Sequence, residues 1–255
     1  MSNQVNFYIK DLSPMKKYPN EIFYIGNLSL LKKRKISIVG TRKPNSYTKQ
    51  ITYKLANELS KRGIIIVSGA AIGVDAISHN AAGSLNTIAV VANGLNIKYP
   101  VINSKLISSI EDDGLVLSSY KDNEKARNYT FVHRNELVVA LGEILIVTQA
   151  DEKSGTLTSI NYALEMGKKV YTIPHRLNES MGTQKLIEQG LVEPIYDLEK
   201  FLNSFGVIKK DINDLDIYIN TFPLYEDALK KYQDKIYELE LEGKIIIENG
   251  YIKPN

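Results

Sequence analysis

The sequence contains no cysteine and only three histidines, His79, His133 and His175, among its 255 residues. The absence of cysteine excludes disulfide bonds and thiolate-bound metal, and three histidines argue against a histidine-rich metal centre. The longest apolar runs, such as residues 64–67 and 87–92, are far shorter than the ~20 residues that span a bilayer. The first ten residues lack the apolar core of a signal peptide. We therefore expect a cytoplasmic protein without metal, cofactor or membrane insertion.

Basic and acidic residues are distributed unevenly along the chain. Residues 1–210 contain 27 Lys and Arg against 19 Asp and Glu, whereas residues 211–255 contain five against ten. This excess of positive charge suits the larger part to a polyanionic partner, and the acidic tail is not suited to one. Charge alone does not identify the partner, because many basic domains bind no nucleic acid.

Short β-rich runs alternate with longer amphipathic stretches between residues 35 and 173. Strands are predicted at residues 36–39, 64–67, 87–91, 115–117, 144–148 and 170–173. Helices are predicted between them: the first follows Gly40 and ends at residue 62, and the others lie at residues 74–82, 103–112, 131–141 and 157–166. Such alternation is typical of βαβ units. The sequence therefore predicts an α/β, Rossmann-like fold with a parallel or mixed sheet and helices on both faces.

Three segments are predicted along the chain. Residues 1–34 form a lead-in that packs on the main domain, with residues 23–25 as an edge strand, and residues 35–207 form the Rossmann-like domain. Residues 212–255 form a winged-helix-like module, predicted from a helix at 224–242, a strand at 244–248 and the hairpin dipeptide Asn249-Gly250. The polar residues 121–130 are predicted to form a loop.

Four motifs of small or polar residues follow predicted strands: Gly40-Thr41-Arg42, Ser68-Gly69, Ser154-Gly155-Thr156 and Pro174-His175. Ligands of open parallel sheets bind outside the carboxyl ends of the strands, so these motifs are expected to share one surface. Small residues let backbone N–H groups approach phosphate oxygens, and Arg42 adds a permanently charged, bidentate donor. A single glycine is better explained as a plain turn, but three such motifs at neighbouring strand ends favour phosphate binding.

The common nucleotide-binding and hydrolytic signatures are absent. No G-x-x-x-x-G-K-[ST] motif occurs, and no G-x-G-x-x-G follows the first strand of the alternating pattern. No Ser/His/Asp constellation has motif support. Asp75 and His79 are four residues apart, and we interpret them as a hydrogen-bonded pair that fixes the start of a helix. ATP, dinucleotide and hydrolase sites are therefore not supported.

Residues 128–135 combine loop polarity with aromatic side chains and Arg134. Bases of single strands stack on such aromatics, at roughly 1–3 kcal/mol per base. The alternative is that Phe131 belongs to the core and Arg134 pairs with a carboxylate. From the residues alone this alternative is slightly favoured.

Taken together, these motifs resemble the DNA-processing protein A family, also called DprA or Smf. The matching stretches are residues 38–44 (IVGTRKP), 67–75 (VSGAAIGVD), Tyr99-Pro100 with Asn103, 131–135 (FVHRN), 154–158 (SGTLT) and Gly182-Thr183 with Leu186-Ile187 and Gly190. Their order and spacing make the resemblance specific, and it runs from about residue 18 to residue 197.

The resemblance implies an extended Rossmann fold, a homodimer and sequence-independent binding of single-stranded DNA without catalysis. It further implies loading of the RecA recombinase during natural transformation, with other competence proteins as further partners. It assigns the main phosphate contact to Arg42, a base or sugar contact to Phe131, and further contacts to the turn at residues 154–156. The predicted DNA-binding residues are Thr41, Arg42, Ser68, Gly69, Asn128, Phe131, Arg134, Asn135, Ser154, Gly155, Thr156 and Lys168.

The chain departs from the usual family motifs at two arginine positions, which are Ile72 and Glu136 here. These departures either weaken binding or are compensated by other lysines, such as Lys43, Lys153 and Lys168. The alternative function is a Rossmann-like nucleotide phosphoribohydrolase, whose Pro-Gly-Gly-x-Gly-Thr turn precedes a glutamate pair. Residues 157–161 contain no carboxylate here, so the hydrolytic group is missing. A third hypothesis is that the chain is a pure interaction protein, in which the predicted phosphate-binding turns remain but bind no phosphate.

Overall fold

The computed structural model describes residues 2–207 and 214–254, apart from the side chain of Asp216. The chain divides into two compact units, Met1–Val207 and Ile208–Asn255. None of the helices within the described ranges is both long enough and apolar enough to cross a membrane.

The described part of the larger unit contains one nine-stranded sheet. Its strands are β1 (Asn3–Gln4), β2 (Phe23–Gly26), β3 (Lys35–Val39), β4 (Ile65–Ser68), β5 (Thr87–Val90), β6 (Leu115–Ser118), β7 (Leu145–Val147), β8 (Val170–Thr172) and β9 (Glu193–Pro194). They lie in the order β1-β2-β6-β5-β4-β3-β7-β8-β9. In this order, each pair of adjacent strands between β6 at one end and β9 at the other is parallel. The pairs β1-β2 and β2-β6 are antiparallel.

Helices connect the parallel strands. They are α1 (Ser46–Lys61), α2 (Val74–Ala82), α3 (Ser104–Asp113), α4 (Asn128–Leu141), α5 (Thr156–Glu165), α6 (Met181–Glu188) and α7 (Leu198–Asn203). A mostly parallel sheet with helices between its strands confirms the predicted α/β, Rossmann-like fold.

Successive residues of the central strands enter different apolar clusters. In β4, Ile65 and Val67 pack in the cluster that holds α4 and α5, whereas Ile66 packs in the cluster that holds α1. Side chains alternate between the two faces of a strand, and here both faces are covered. This double burial is why the strands read in the sequence as unbroken apolar runs.

The prediction that residues 23–25 form an edge strand is wrong. β2 lies inside the sheet, paired with β1 on one side and β6 on the other. The sheet ends at β1 and β9, and each of these strands has only two residues. Two residues are too few to produce an alternating pattern that a sequence could reveal.

Helix α4 begins at Asn128, inside the segment predicted to be a loop. The Thr130 hydroxyl accepts a hydrogen bond from the Arg127 backbone N–H at 2.8 Å and so caps the new helix start. The extra turn brings residues 128 to 130 onto the helix and fixes the direction in which Phe131 projects.

The described part of the smaller unit, residues 214–254, consists of three helices followed by a hairpin. These elements are α8 (Asp214–Ile219), α9 (Tyr225–Tyr232), α10 (Asp234–Leu241), β10 (Ile245–Glu248) and β11 (Tyr251–Pro254). The single helix predicted at 224–242 is two helices, because Gln233 has φ +43° and breaks it. The hairpin is confirmed, with positive φ at both Asn249 and Gly250. The predicted start of this module, residue 212, lies outside the described residues.

Candidate functional site

The carboxyl ends of the parallel strands form one edge of the larger unit. The motif at residues 40–42 directly follows β3, the motif at 68–69 begins with the last residue of β4, and the motif at 174–175 follows β8 after one residue. Residues 154–156 come after β7 and lead into α5, which begins at Thr156. The four motifs therefore lie at the same edge of the sheet, and that they form one surface stays a prediction. The side chains at this edge differ greatly in what they can contact.

A hollow, called here the central hollow, opens between the ends of β3, β4 and β5 and the start of α4. Its lining combines two arginines with aromatic, small and amide-bearing residues: Arg42, Gly69, Ala71, Ile72, Ala92, Asn93, Tyr99, Pro100, Phe131 and Arg134. Of the predicted site residues it brings together Arg42, Gly69, Phe131 and Arg134.

Arg42 is an exposed cation beside an aromatic ring. Its Cζ lies 5.4 Å from the centroid of the Phe131 ring, which is within cation–π range. The Tyr99 ring is also close to the Phe131 ring, with centroids 6.0 Å apart and planes inclined at 48°. Within the described residues, no carboxylate forms an ion pair with Arg42. Its guanidinium is therefore available to an anionic ligand.

Arg134, in contrast, is only 4% exposed. Its Nη1 donates to the Gly69 and Val90 carbonyls, the latter at 2.7 Å, and its Nε donates to Asn135 Oδ1 at 3.2 Å. Its Cζ lies 5.8 Å from the Phe131 ring centroid. Arg134 is therefore a buried cation that ties α4 to the ends of β4 and β5, and its predicted contact with DNA stays a prediction.

Gly69 is a glycine because Arg134 occupies the space of a side chain. A Cβ at this position would overlap the Arg134 guanidinium and lie 2.7 Å from Asp75 Oδ2. Gly69 thus lines the hollow through its backbone, and its carbonyl is already used by Arg134. The glycine of the Ser68-Gly69 motif is therefore explained by its close packing against the buried Arg134 guanidinium.

Asp75 is a buried carboxylate whose negative charge acts on Arg134. Its Oδ2 accepts from the Gly69 N–H at 3.2 Å and the Ala71 N–H at 3.4 Å. Burial raises the pKa of Asp75, and the positive charge of Arg134 and the backbone donors offset only part of this effect. Burial also lowers the pKa of Arg134, while Asp75 raises it. The two groups stabilise each other's charge behind the central hollow.

The predicted hydrogen bond between Asp75 and His79 is wrong. His79 Nδ1 lies 2.6 Å from Thr87 Oγ1 at the start of β5, and Asp75 is occupied by backbone N–H groups. His79 is fully buried, and this burial, together with the nearby Arg134 charge, lowers its pKa from 6.5 to about 3. His79 is therefore a neutral core residue.

Two further predicted contacts are corrected by burial and position. Ser68 is 0% exposed and its hydroxyl donates to the Ile38 carbonyl at 2.6 Å. Lys168 precedes β8, at the amino end of the strand, and its Nζ donates to three carbonyls at the end of α4, those of Val139, Ala140 and Gly142. Burial lowers the pKa of Lys168 to about 8. Lys168 lies at the opposite edge of the sheet from Arg42.

The turn at residues 154–156 is a helix start that lies apart from the central hollow. The Ser154 Oγ accepts from the Thr156 N–H at 3.1 Å, and Gly155 has helical φ and open space where a Cβ would lie. Gly155 is exposed and Ser154 and Thr156 are half-buried. The turn lies along the same edge, because β7 is the neighbour of β3.

The remaining predicted residues flank the central hollow. Thr41 is half-buried, and its Oγ1 accepts from the Lys43 N–H at 3.2 Å. Asn128 is exposed in the first turn of α4, and Asn135 is half-buried and holds Arg134. Tyr99 is not among the predicted site residues, although Tyr99-Pro100 is one of the stretches that resemble the family. Its 46% exposure beside Phe131 is a tertiary feature.

The two departures from the family motifs have different surroundings. Glu136 Oε1 accepts from the Lys16 N–H at 3.1 Å, so it contacts the N-terminal lead-in. Ile72 is 47% exposed in the loop before α2 and lines the central hollow next to Arg42. Only the change at Ile72 alters the lining of the hollow.

Comparison with known proteins gives consistent matches. The model of the DNA recombination-mediator protein A family matches residues 2–206. DNA processing protein DprA of Bacillus subtilis is 38% identical over 194 residues, covering 74% of this chain and 64% of that protein. Its Streptococcus pneumoniae counterpart is 36% identical over 187 residues, covering 72% and 66%. The chain thus spans slightly less than two thirds of the length of these relatives.

Solved structures of the same family share the fold. DNA processing protein A from Helicobacter pylori, described with a unique single-stranded DNA binding mode, superposes with a TM-score of 0.78 at 38% identity and covers 80% of this chain and 95% of that one. DprA from Streptococcus pneumoniae superposes with a TM-score of 0.73 at 33% identity, covering 82% and 75%.

We expect Arg134→Met to lower the free energy of unfolding by roughly 3 kcal/mol, because buried carbonyls lose their donor and Asp75 loses its nearby positive charge. Urea unfolding followed by circular dichroism measures this. His133→Met, at the exposed neighbouring position, is the control and should change stability by less than about 0.5 kcal/mol. Equal stability of the two variants would contradict the structural role of Arg134.

Burial of neutral His79 predicts a loss of stability in acid. Its pKa is lowered in the fold from 6.5 to about 3, so its contribution is complete above pH 6.5 and is lost as the pH falls from there towards 3. Between pH 6.5 and 3, the free energy of unfolding should fall less steeply with decreasing pH in His79→Gln than in the parent. The difference between the two slopes should be up to ~1.4 kcal/mol per pH unit. Urea unfolding between pH 6.5 and 5 tests this, and equal slopes of the parent and His79→Gln would contradict it.

Proposed function

The chain belongs to the DNA recombination-mediator protein A family, and we propose that it binds single-stranded DNA without sequence preference at the carboxyl edge of its sheet. The observation that carries the proposal is the exposed Arg42 guanidinium beside the Phe131 ring, 5.4 Å from Cζ to centroid. One group binds a phosphate and the other stacks on a base or sugar, so a single nucleotide can engage both.

The arrangement of the central hollow supports this proposal. Arg134, whose Cζ lies 5.8 Å from the Phe131 ring centroid, donates from Nη1 to two protein carbonyls and from Nε to the Asn135 side chain, so its positive charge is held near the ligand. A rigid site lowers the ordering cost of binding. Neither Arg42 nor Phe131 reads the hydrogen-bonding edge of a base, which fits binding without sequence preference.

Similarity to relatives supports the choice of ligand. The Helicobacter pylori protein with a single-stranded DNA binding mode shares 38% identity, and the match covers 95% of that chain. The excess of basic residues in residues 1–210 also suits a polyanion.

The wider role rests on family membership. We infer that the protein protects incoming single strands and loads RecA recombinase during natural transformation, acting in the cytoplasm as a homodimer, with other competence proteins as further partners. We infer no catalytic step. The phosphoribohydrolase alternative needs carboxylates after the turn at residues 154–156, and the first turn of α5 contains no acidic residue.

Arg42→Ala should weaken binding to a (dT)30 strand by about ten- to a hundredfold, since a charge-assisted contact is worth roughly 1.5–3 kcal/mol. Fluorescence anisotropy at two salt concentrations measures the loss, and the salt dependence should become less steep. Arg34→Ala is the matched control, because Arg34 precedes β3 and Arg42 follows it. Unchanged affinity of Arg42→Ala would refute the proposed function.

Phe131→Ala should weaken binding less, by roughly fivefold, which corresponds to about 1 kcal/mol for one stacking contact. Phe131→Tyr keeps the ring and should bind like the parent. Circular dichroism should show an intact fold in both variants. If Phe131→Ala and Phe131→Tyr bind equally well, the ring makes no contribution to DNA binding.

A further inference from the structure

A second hollow adjoins the central hollow on the far side of Arg42. We call it the lysine groove, and its characteristic lining residues are Arg42, Lys43, Lys49, Ile72, Ile77 and Ile102. Arg42 and Ile72 line both hollows. A ligand that leaves the central hollow past Arg42 therefore enters the lysine groove directly.

The charges of the groove all have one sign. Three lining residues are cationic, and none is Asp or Glu. Lys43 and Lys49 are exposed, and neither has an ion pair with a carboxylate in the described parts of the chain. Unpaired lysines that line one concave surface attract a ligand with repeated negative charge.

The groove also presents apolar surface to solvent. Ile102 is 77% exposed and Ile72 is 47% exposed. The segment that carries Ile102 is fixed, because Asn103 Nδ2 donates to the carbonyls of Ala70 at 2.9 Å and Ala71 at 3.1 Å. These isoleucines therefore form a positioned apolar surface next to the cations.

The two sides of the groove are held together by close backbone packing. Gly73 has φ +89°, and a Cβ there would lie 2.5 Å from the Thr41 carbonyl oxygen and 2.7 Å from the Arg42 Cα. The Val74 N–H donates to the same Thr41 carbonyl at 3.2 Å. The loop that carries Arg42 and Lys43 is thereby fixed against the start of α2 and the neighbouring Ile72.

We propose that the lysine groove binds the part of a DNA single strand adjacent to the nucleotide held by Arg42 and Phe131, with phosphates on Lys43 and Lys49 and a base against Ile72 and Ile102. This rests on the proposed function and adds the path of the strand. Cations beside apolar surface match the two chemical sides of a single strand. Continuity through Arg42 favours DNA over the acidic segment of a protein partner.

The first test compares Lys43→Ala/Lys49→Ala with Lys54→Ala, an exposed lysine on α1 outside the groove. The double variant should bind (dT)30 about tenfold more weakly than the parent. Its slope of log affinity against log salt should be smaller by about 1.4, since each neutralised phosphate of a single strand contributes ~0.7. Lys54→Ala should match the parent in both measurements.

The outcomes separate the two proposals. If the parent binds no single strand, or Arg42→Ala binds as the parent does, the proposed function fails. If Arg42→Ala loses affinity while the double variant behaves like Lys54→Ala, only the path through the groove is overturned. Loss of binding to a polyglutamate peptide together with unchanged DNA affinity would likewise overturn it in favour of an acidic protein segment.

A second test locates the base. The chain has no cysteine, so Ile102→Cys creates a single thiol for a fluorescent label. Addition of (dT)30 should change its emission, whereas a label at Lys169→Cys, beside the amino end of β8, should not respond. Equal response of the two labels, or no response from position 102 at saturating DNA, would refute contact with the groove.

Discussion

The buried guanidinium of Arg134 is the interaction on which the geometry of the candidate site depends. It extends from α4 to the carbonyls of Gly69 and Val90, and thus connects the helix to the ends of β4 and β5. A charge without water is tolerated only with hydrogen bonds and a nearby opposite charge, here from Asp75. Phe131, one helical turn before Arg134, is thereby fixed beside the strand ends, where Arg42 lies against it.

Arg42 and Arg134 both contact the Phe131 ring but have different roles. Arg134 is held by the protein through Nη1 and Nε, and its movement would leave the Gly69 and Val90 carbonyls without this donor. Arg42 is exposed and keeps its donors for a ligand. The buried cation fixes the shape of the hollow, and the exposed cation is the group that we propose binds the ligand. Extension of the same surface to Lys43 and Lys49 fits a polymeric anion better than a mononucleotide.

Much of the fold could be predicted because its signals are local. The central strands are buried on both faces, so they appear in the sequence as apolar runs. The positions of Gly40-Thr41-Arg42 and Ser68-Gly69 after two of these runs predicted that both motifs lie at strand ends. The two-residue strands β1 and β9 leave no periodic pattern, so the true edges of the sheet could not be predicted. The break of the C-terminal helix at Gln233 likewise depends on one backbone conformation.

Within the site, the sequence by itself determined which loops lie at the same edge of the sheet, because parallel strands carry their carboxyl ends to one edge. It also determined that Arg42 lies among them. Only the tertiary structure decided which polar groups remain free. Ser68, Arg134 and Lys168 donate hydrogen bonds to carbonyls of residues distant in the chain. Burial and hydrogen-bond partners come from such distant contacts, so residue type and spacing could not distinguish these three from Arg42.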